Sequence, residues 1–469
     1  QAKKKIQFPD YMKHHLLLFT CLISVNSFAQ SWEQTYGVGV ENTGHSLQRT
    51  SDGGFILLGY TYTAGNASAD VLLIKTDEYG MEEWSQTYDD FLNNGVYDNT
   101  DDKGYFVEET SDGGFIVAGV TNEEGENSED GGLDILLLKT GPSGETEWAK
   151  VYGYPNNDVA RAVCQMSDGG YAVAGYTVTS PWDKEGHFKE VYLFKTDANG
   201  VEEWSQTFGT EEMTAIGYAL EQTDDGGLII GGRIGPGRKI QNNTSSDACL
   251  IKTDASGAEL WSQTYGGDYF DTGYSVQQTA DGGYILSGFT SESNENLTDR
   301  DMYLVKTDGI GNEEWSQTYG DADTREMGYS VQQTMDGGYI IGGTRDHWPP
   351  SLGDSDMILV KTTEAGSEEW TQTFESDEGA EDAGYDVLQT ADECYVLIGT
   401  TSNEEGSDAY VIKTCEDGTQ PVSFLSPHSS ERKLEKVVDV MGREVSPVPN
   451  QILFYIYMDG SVEQKFIWN

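Results

Sequence analysis

Two kinds of apolar run alternate along this chain. In one kind apolar and polar residues take turns, as in GYSVQQT at 273–279. The other kind is apolar at every position, as in VLLI at 71–74, ILLL at 135–138 and MILV at 357–360. Alternation predicts a strand with one covered face, whereas a short uninterrupted run predicts a strand covered on both faces. Glycine is frequent (56) and proline scarce (11), which favours an all-β fold with tight turns.

Three landmarks recur in a fixed order and divide the chain into repeats. The first is a tryptophan that begins a polar strand, at Trp32, Trp84, Trp148, Trp204, Trp261, Trp315 and Trp370. The second is an Asp-Gly-Gly turn, at Asp52, Asp112, Asp168, Asp225, Asp281 and Asp336, with a degraded copy at Asp392-Glu393-Cys394. The third is a Lys-Thr pair, at Lys75, Lys139, Lys195, Lys252, Lys306, Lys361 and Lys413. The tryptophans are 52 to 64 residues apart, a spacing in and slightly above the range of propeller blades.

Each repeat is predicted to form four strands, which we call A to D. In the fifth copy these are Gly273 to Thr279, Gly283 to Thr290, Asp301 to Thr307 and Glu313 to Tyr319. Asp281-Gly282 between A and B predicts a two-residue type I′ turn, because both residue types tolerate positive φ. A glycine late in each strand B predicts a bulge or a close backbone approach.

The two ends of the repeat array are incomplete in complementary ways. Ser31 to Gly37 (SWEQTYG) is a strand D with no strand C before it, and the last Lys-Thr pair at Lys413 has no strand D after it. We therefore predict that the N-terminal strand completes the last repeat. The predicted fold is an all-β, seven-bladed β-propeller over residues 30–417, followed by a linker at 418–426 and a small β domain at 427–469.

The N-terminal residues 1–29 have the pattern of an export signal. Lys13, His14 and His15 precede an apolar run from Leu16 to Val25, and Ser27 and Ala29 fit cleavage before Gln30. Met12 is the expected start of translation. The apolar run is too short to span a bilayer, and no other segment is apolar for long enough.

Charge and cysteine content narrow the function classes. The formal net charge of −52 excludes nucleic acid as an expected partner and indicates an acidic solvated surface or one that meets divalent cations. No CxxC or zinc spacing is present. Cys394 opens strand B of the last repeat and Cys415 ends its strand C, so an antiparallel pair places both at one edge and predicts a disulfide.

The phrase KTDxxGxxxW, as in KTDASGAELW at 252–261, resembles the tryptophan-docking repeat of quinoprotein-like propellers. The resemblance implies that each tryptophan packs against the neighbouring blade. It does not extend to quinone chemistry, since the vicinal cysteine pair of those dehydrogenases is absent from the sequence. The same turn also resembles the aspartate box of sialidases, but the few arginines are too scattered to indicate a sialidase arginine triad.

The C-terminal segment resembles the sorting domain of type IX secretion substrates of Bacteroidetes. The matching residues are VDVMGRE at 438–444, FYIY at 454–457 and DGS at 459–461. This resemblance implies a secreted or outer-membrane surface protein whose partner is the type IX secretion machinery.

Short A–B and C–D turns share one face of the predicted propeller, and the long, variable B–C and D–A segments share the other. Function is expected on the variable face. Candidate ligand-binding residues there are two loop tryptophans and two arginines, Trp182, Trp348, Arg233 and Arg238. Acidic residues also recur just before strand A, at Asp102, Asp158, Asp271, Glu326 and Asp382. They indicate either turn capping or a ring that binds calcium at the channel mouth.

Two functions remain open at this point. The first is a non-catalytic binding or adhesion propeller that recognises an extracellular glycan or protein and requires no cofactor beyond possible calcium. The second is a secreted glycosidase or polysaccharide lyase that uses carboxylates near the channel mouth. The sequence contains no serine-histidine-aspartate order, HExxH or phosphate loop that would indicate another enzyme class.

Overall fold

The computed structural model describes residues 31–62, 68–89, 100–122, 132–154, 156–178, 188–210, 213–236, 245–291, 300–321, 324–347, 355–376, 380–403 and 406–415, and the backbone of 422–423, 434–439, 452–457 and 462–466. All regular elements in this part of the chain are β-strands. The export-signal prediction lies outside the described residues. Within the described part, no helix has the length and apolar character needed to cross a bilayer.

In chain order the strands are β1 (Trp32–Tyr36), β2 (Glu41–Arg49), β3 (Phe55–Tyr62), β4 (Ala69–Thr76), β5 (Glu82–Tyr88), β6 (Lys103–Glu109), β7 (Phe115–Thr121), β8 (Asp134–Thr140), β9 (Thr146–Tyr152), β10 (Asp158–Gln165), β11 (Tyr171–Val178), β12 (Lys189–Thr196), β13 (Glu202–Phe208), β14 (Met213–Gln222), β15 (Leu228–Pro236), β16 (Asp247–Thr253), β17 (Glu259–Tyr265), β18 (Asp271–Gln278), β19 (Tyr284–Ser291), β20 (Arg300–Thr307), β21 (Glu313–Tyr319), β22 (Thr324–Gln333), β23 (Tyr339–His347), β24 (Ser355–Thr362), β25 (Glu368–Phe374), β26 (Glu381–Gln389), β27 (Tyr395–Asn403), β28 (Gly406–Thr414), β29 (Val422–Ser423), β30 (Leu434–Asp439), β31 (Ile452–Tyr457) and β32 (Val462–Phe466).

Antiparallel pairing joins β1–β28 into four-stranded units. In chain order units 1 to 7 are β2–β5, β6–β9, β10–β13, β14–β17, β18–β21, β22–β25, and β26–β28 with β1. β1 pairs with β28 from Trp32↔Lys413 to Tyr36↔Ala409. The N-terminal strand therefore supplies the fourth strand of the last unit. Separately, β30, β31 and β32 form a three-stranded antiparallel sheet.

The core lies between units. Each apolar cluster combines strands of neighbouring units, as where Ile56 and Leu73 of unit 1 pack with Val117 and Leu136 of unit 2. One cluster joins Leu57 of unit 1 to strands of unit 7. Because every sheet is covered on both faces, the third strand must be apolar throughout.

The repeated Lys-Thr, glycine-turn and tryptophan phrase forms a corner that packs one unit on the next. The Trp261 ring of unit 4 lies against the turn between the third and fourth strands of unit 5. A Cβ added at Gly311 in that turn would come within 2.6 Å of the ring. Trp261 also packs against Tyr284, with the two rings tilted by 58° and their centroids 5.8 Å apart. Tyr265 then donates a hydrogen bond to the Gly311 carbonyl at 2.7 Å. These contacts are the cross-unit packing that the resemblance implied for the tryptophans.

The turn between the first two strands differs from the predicted type I′ hairpin. In unit 5 the loop contains three residues, 280–282, because Thr279 N–H bonds to Gly283 O at 2.9 Å. Gly282 has φ +85, whereas Asp281 is not at positive φ. The Asp281 carboxylate instead accepts the Gly283 N–H at 3.0 Å and pairs with Lys306 at 2.8 Å. These two interactions hold the aspartate in a conformation that a type I′ turn would not give.

A disulfide joins Cys394, which directly precedes β27, to Cys415, which directly follows β28. The two Cα atoms are 4.3 Å apart. It links the ends of β27 and β28 in unit 7, and β1 pairs with β28. Cys164 and Cys249 are buried free cysteines. Unit 7 therefore carries a covalent link where the two ends of the repeat array meet.

Candidate functional site

The first strands of all units converge on a central cavity of about 510 Å³. β2, β6, β10, β14, β18, β22 and β26 contact one another in succession, and β2 also contacts β26. Every one of these strands contributes residues to the cavity wall. The cavity falls within the size range of ligand pockets, about 300–1,000 Å³.

A β-bulge in each first strand turns one extra side chain into this cavity. In unit 5, for example, Gly273 pairs with Gly288 and Ser275 pairs with Ser287, which leaves Tyr274 unpaired between them. The bulge requires the glycine of the second strand, since a Cβ at Gly288 would lie 1.7 Å from the Thr272 carbonyl oxygen. This confirms the predicted close approach and bulge, and bulges are known to re-aim side chains near functional sites.

The bulge residues form one continuous layer, which we call the bulge ring: His45, Tyr105, Arg161, Tyr218, Tyr274, Tyr329 and Tyr385. Neighbouring rings touch, with centroid distances of 5.0 Å for Tyr218–Tyr274 and 4.8 Å for Tyr274–Tyr329. Tyr385 contacts Tyr329 at 5.4 Å and His45 at 5.1 Å. The layer therefore presents flat aromatic surfaces and phenol groups around the cavity.

The bulge ring is electrically neutral except at Arg161. Burial, followed by the nearby charges of Arg161 and Lys103, lowers the pKa of His45 to about 3, so its imidazole is neutral. Burial raises the pKa of Tyr274 to about 12. The Arg161 guanidinium lies 4.5 Å from the centroid of the Tyr105 ring, a cation–π geometry.

A second layer lies nearer the Asp-Gly-Gly turns and consists mainly of amide and carboxyl side chains. Gln277 accepts the Gln333 N–H of the next unit, and Glu108 accepts the Gln165 N–H at 3.1 Å. Burial raises the pKa values of Glu108 and Glu221 to about 7. These side chains connect neighbouring first strands and place two weakly acidic groups in the cavity wall.

Asp386 lies between the two layers. It accepts hydrogen bonds from Ser330 Oγ at 2.7 Å, Ser46 Oγ at 3.3 Å and Leu47 N–H at 2.9 Å. Burial raises the pKa of its carboxyl group despite these bonds. Its partners belong to units 1 and 6, so Asp386 ties unit 7 to both neighbours.

Of the predicted ligand-binding residues, Arg233 is described and Trp182, Trp348 and Arg238 lie outside the described residues. Arg233 is half-buried in β15, next to the backbone of β14 at Ile216. Its charge acts together with that of Arg161 on Lys189 and on Tyr176. Arg233 is not among the residues that line the cavity, whereas Arg161, which was not predicted to bind ligand, is.

The side chains of the predicted calcium ring are buried and lie in separate units: Asp102, Asp158, Asp271, Glu326 and Asp382. Asp158 accepts the Tyr154 N–H at 2.6 Å, and Asp271 accepts the Gly267 N–H at 2.9 Å. No three His, Cys, Asp or Glu side chains of the described residues are grouped so that they could hold a metal. The structure thus places Asp158 and Asp271 as turn caps, whereas Glu326 pairs with Arg345 at 3.2 Å. Calcium binding stays a prediction.

Sequence reasoning passed over Arg161 and the tyrosines of the bulge ring. The available signal was the repeat alignment itself, because Arg161 stands where the other copies have tyrosine or histidine. The bulge was the missing information. Without it, the alternation of a strand does not specify which side chain faces the cavity.

Several solved structures are distantly similar to this chain. No protein-family model matches the chain, and no curated protein is similar to it. A fungal alcohol oxidase of the AA5 family, in complex with copper, is 13% identical over 91% of this chain and 83% of its own, with a TM-score of 0.45. Sqt1 from Chaetomium thermophilum is 11% identical over 78% of this chain and 81% of its own, with a TM-score of 0.43. A Trypanosoma rangeli sialidase in complex with sialic acid is 8% identical over 82% of this chain and 57% of its own, with a TM-score of 0.39.

These three structures are β-propellers. Such low identities and TM-scores say nothing about what this chain binds. The strand pairing of the chain itself defines the class to which it belongs, an all-β protein of four-stranded antiparallel units with a propeller-like architecture.

Proposed function

We propose that the units are the blades of a seven-bladed β-propeller closed by the N-terminal strand. Two observations support this architecture. Each unit contacts the next, and unit 7 contacts unit 1 through β27 and β2. β1 also supplies the fourth strand of unit 7. A small-angle scattering profile of a compact disc would support the closed ring, and an elongated solenoid would contradict it.

The propeller is proposed to be a non-catalytic binding module for an extracellular glycan or protein. The bulge ring carries this proposal. Aromatic faces such as those of Tyr274 and Tyr329 can cover the apolar face of a sugar ring or a protein side chain, while their hydroxyl groups supply hydrogen bonds. The His45 imidazole packs against the rings of Tyr60, Tyr105 and Tyr385, which extends the aromatic surface of the cavity.

The binding test is a glycan array probed with the wild-type chain and a Tyr274→Ala/Tyr329→Ala variant. We expect at least a tenfold loss of signal in the variant, because two ring contacts are removed. Tyr79→Ala is the matched control, since Tyr79 is 58% exposed on a third-to-fourth-strand turn away from the cavity. Equal loss in both variants, or none in either, would contradict the site. A parallel measurement in EDTA tests the calcium prediction.

The loop residues Trp182, Trp348 and Arg238 are proposed to extend this site, because their loops follow the second strands at the same end of the units. Single Trp182→Ala and Trp348→Ala variants are expected to weaken the array signal. Unchanged binding in both would confine recognition to the cavity and to Arg233.

A secreted glycosidase or lyase is the second candidate. The observation in its favour is that Glu108 and Glu221 line the cavity with pKa values of about 7, which suits a general acid at neutral pH. Release of reducing sugar or of unsaturated product that disappears in Glu108→Gln or Glu221→Gln would favour this enzyme over the binding module. Tight binding without turnover would favour the module.

Export is proposed to run through the C-terminal segment and the type IX secretion machinery. Its support is the resemblance of residues 438–461 to sorting domains, together with the sheet of β30–β32. Fusion of residues 427–469 to a periplasmic reporter should move the reporter to the cell surface or medium of a type IX-competent bacterium. Retention in the periplasm would contradict this proposal.

A further inference from the structure

Three basic side chains lie on strands of the packed units 3 and 4, and we call them the basic triad: Arg161, Lys189 and Arg233. Arg161 is the bulge residue of β10 and lines the cavity. Lys189 begins β12, and its Nζ lies 3.8 Å from the centroid of the Tyr176 ring. Arg233 lies in β15, and the strands of units 3 and 4 pack together through β11, β12 and β14.

The basic triad lacks acidic partners among the described residues. No salt bridge in the described part of the chain includes any of its members, although the sequence has 80 acidic and 28 basic residues. Arg300 of unit 5 also has no salt bridge within the described residues and lies 4.6 Å from the Phe289 ring centroid, whereas Lys361 and Arg345 are paired. Lys361 is fully buried and bonds to Asp336 at 2.8 Å and Glu369 at 2.9 Å. Arg345 is half-buried and pairs with Asp321 and Glu326.

Half-buried cations that are not paired are costly, because they lose hydration without gaining a counter-charge. Burial, and then the charges of Arg233 and Arg161, lower the pKa of Lys189 to about 8. All three members are half-buried rather than extended into solvent. The three cations therefore repel one another in a setting where the rest of the chain would easily supply a carboxylate.

The scaffold does not require arginine at positions 161 and 233. The bulge position is tyrosine or histidine in every other unit, and the position of Arg233 is occupied elsewhere by Tyr60, Val120, Tyr176, Phe289, Thr344 and Thr400. The position of Lys189 is also basic in unit 5, at Arg300. Units 3 and 4 are therefore the neighbours in which an arginine departs from the repeat beside a basic third strand.

We infer that Arg161, Lys189 and Arg233 together bind a carboxylate or sulfate group of an acidic polysaccharide whose sugar rings lie on the adjoining bulge ring. This inference rests on the proposed binding function. Guanidinium groups match the planar oxygen pairs of carboxylates and the oxygens of sulfate. A polysaccharide is favoured over an acidic peptide because Tyr218 and Tyr274 provide touching aromatic faces beside the triad.

The experiment uses the whole chain and two matched probe pairs in calorimetric titration. One pair is an oligogalacturonate and its methyl ester, and the other is a sulfated galactan oligosaccharide and its desulfated form. The stronger binder identifies which acidic group the site prefers. We expect at least one charged probe to bind at least tenfold more tightly than its neutral partner, and the difference to shrink as salt is raised.

Arg161→Gln and Arg233→Gln are each expected to lower the affinity for the charged probe at least tenfold. The affinity for the neutral probe should change less than twofold. Lys150→Gln, on the outer strand β9, removes the same charge away from the cavity and should leave both titrations unchanged. Thermal unfolding gives a second readout. If the triad is kept for a ligand, its removal should leave the midpoint equal or higher, whereas a structural role would lower it.

Several outcomes would overturn the inference. Equal affinity for charged and neutral probes would do so while leaving the binding function intact, provided that the Tyr274→Ala/Tyr329→Ala variant still loses binding. Tighter, arginine-dependent binding of poly-glutamate than of any saccharide would replace the polysaccharide with a protein partner. No binding of any probe at millimolar concentration would also overturn it, and the glycan array then tests the binding function separately.

Discussion

Removing a buried cation and removing its anionic partners should have unequal effects on the stability of this fold. Lys361 is fully buried, while its partners Asp336 and Glu369 are 56% and 40% exposed. Lys361 also donates to the Thr362 carbonyl oxygen at 3.0 Å. Burial opposes the lysine charge, yet the hydrogen bonds to Asp336 and Glu369 raise the net pKa of Lys361 above its ordinary value. The stability of the charged lysine therefore depends on these two carboxylates.

The expected magnitudes follow from what each change leaves behind. Asp336→Asn/Glu369→Gln leaves a buried ammonium with neutral acceptors, and we expect a loss of about 2–3 kcal/mol in the free energy of unfolding. Lys361→Met leaves two carboxylates that water can reach. The apolar methionine side chain replaces the aliphatic part of the lysine side chain. Its expected loss is below about 1 kcal/mol.

Urea unfolding is the suitable assay, because an uncharged denaturant does not screen the ion pairs. Glu364→Gln on the neighbouring turn is the control for reduced net charge, since its side chain is exposed. The comparison needs equal m-values in all variants. If Lys361→Met loses as much free energy as the double variant, the stabilising contribution lies in the lysine itself, and our account of the asymmetry is refuted.

Three further predictions concern stability. Tyr319→Phe should lower the free energy of unfolding by about 1 kcal/mol, because the bond to the Gly366 carbonyl at 2.7 Å is lost; an unchanged urea midpoint would contradict this. Glu393→Gly should raise it by about 1 kcal/mol, since Glu393 has φ 63 where the other copies have glycine; a lower midpoint would show that its side chain compensates. Raising the pH from 5 to 8 should lower the thermal midpoint, because Glu108 binds its proton more tightly in the folded chain (pKa about 7) than when unfolded (4.5); its contribution is complete below pH 4.5 and lost above 7, so Glu108→Gln should flatten the decline. Below pH 4 the trend should reverse, as carboxylates such as Asp336, whose pKa is about 2, gain protons; a flat profile would contradict both assignments.

The strands were predictable because the same pattern of apolar and polar residues recurs in each repeat. The predicted third strand of the fifth copy, Asp301 to Thr307, corresponds to Arg300–Thr307, and the predicted fourth strand, Glu313–Tyr319, has the same bounds in the structure. Pairing of the N-terminal strand was also predictable, since the ends of the array lack complementary strands. Equivalent strands of the repeats can be compared within one sequence, and this comparison makes each strand easier to recognise than it would be alone.

The cavity lining was not predictable from alternation, because a bulge shifts the alternation by one residue. Whether the Tyr274 side chain faces a neighbouring sheet or the cavity depends on the position of the bulge residue in the strand. The turn was misjudged for a related reason. Asp281 is held by Lys306, which is 25 positions later in the sequence and comes close only when the third strand folds back. Contacts of this kind are set by tertiary packing.

The same reasoning separates scaffold from function in this chain. A residue type that recurs in every unit is sufficiently explained by packing, as with the tryptophan corners and the buried lysines. Arg161 and Arg233 depart from the residue types found in the other units, while the position of Lys189 is also basic in unit 5, at Arg300. Arg161, Lys189 and Arg233 come from three different strands of two neighbouring units, carry the same charge in a strongly acidic chain, and have no acidic partner among the described residues. We propose a shared ligand requirement as the explanation of these features, because half-buried cations without a counter-charge cost stability.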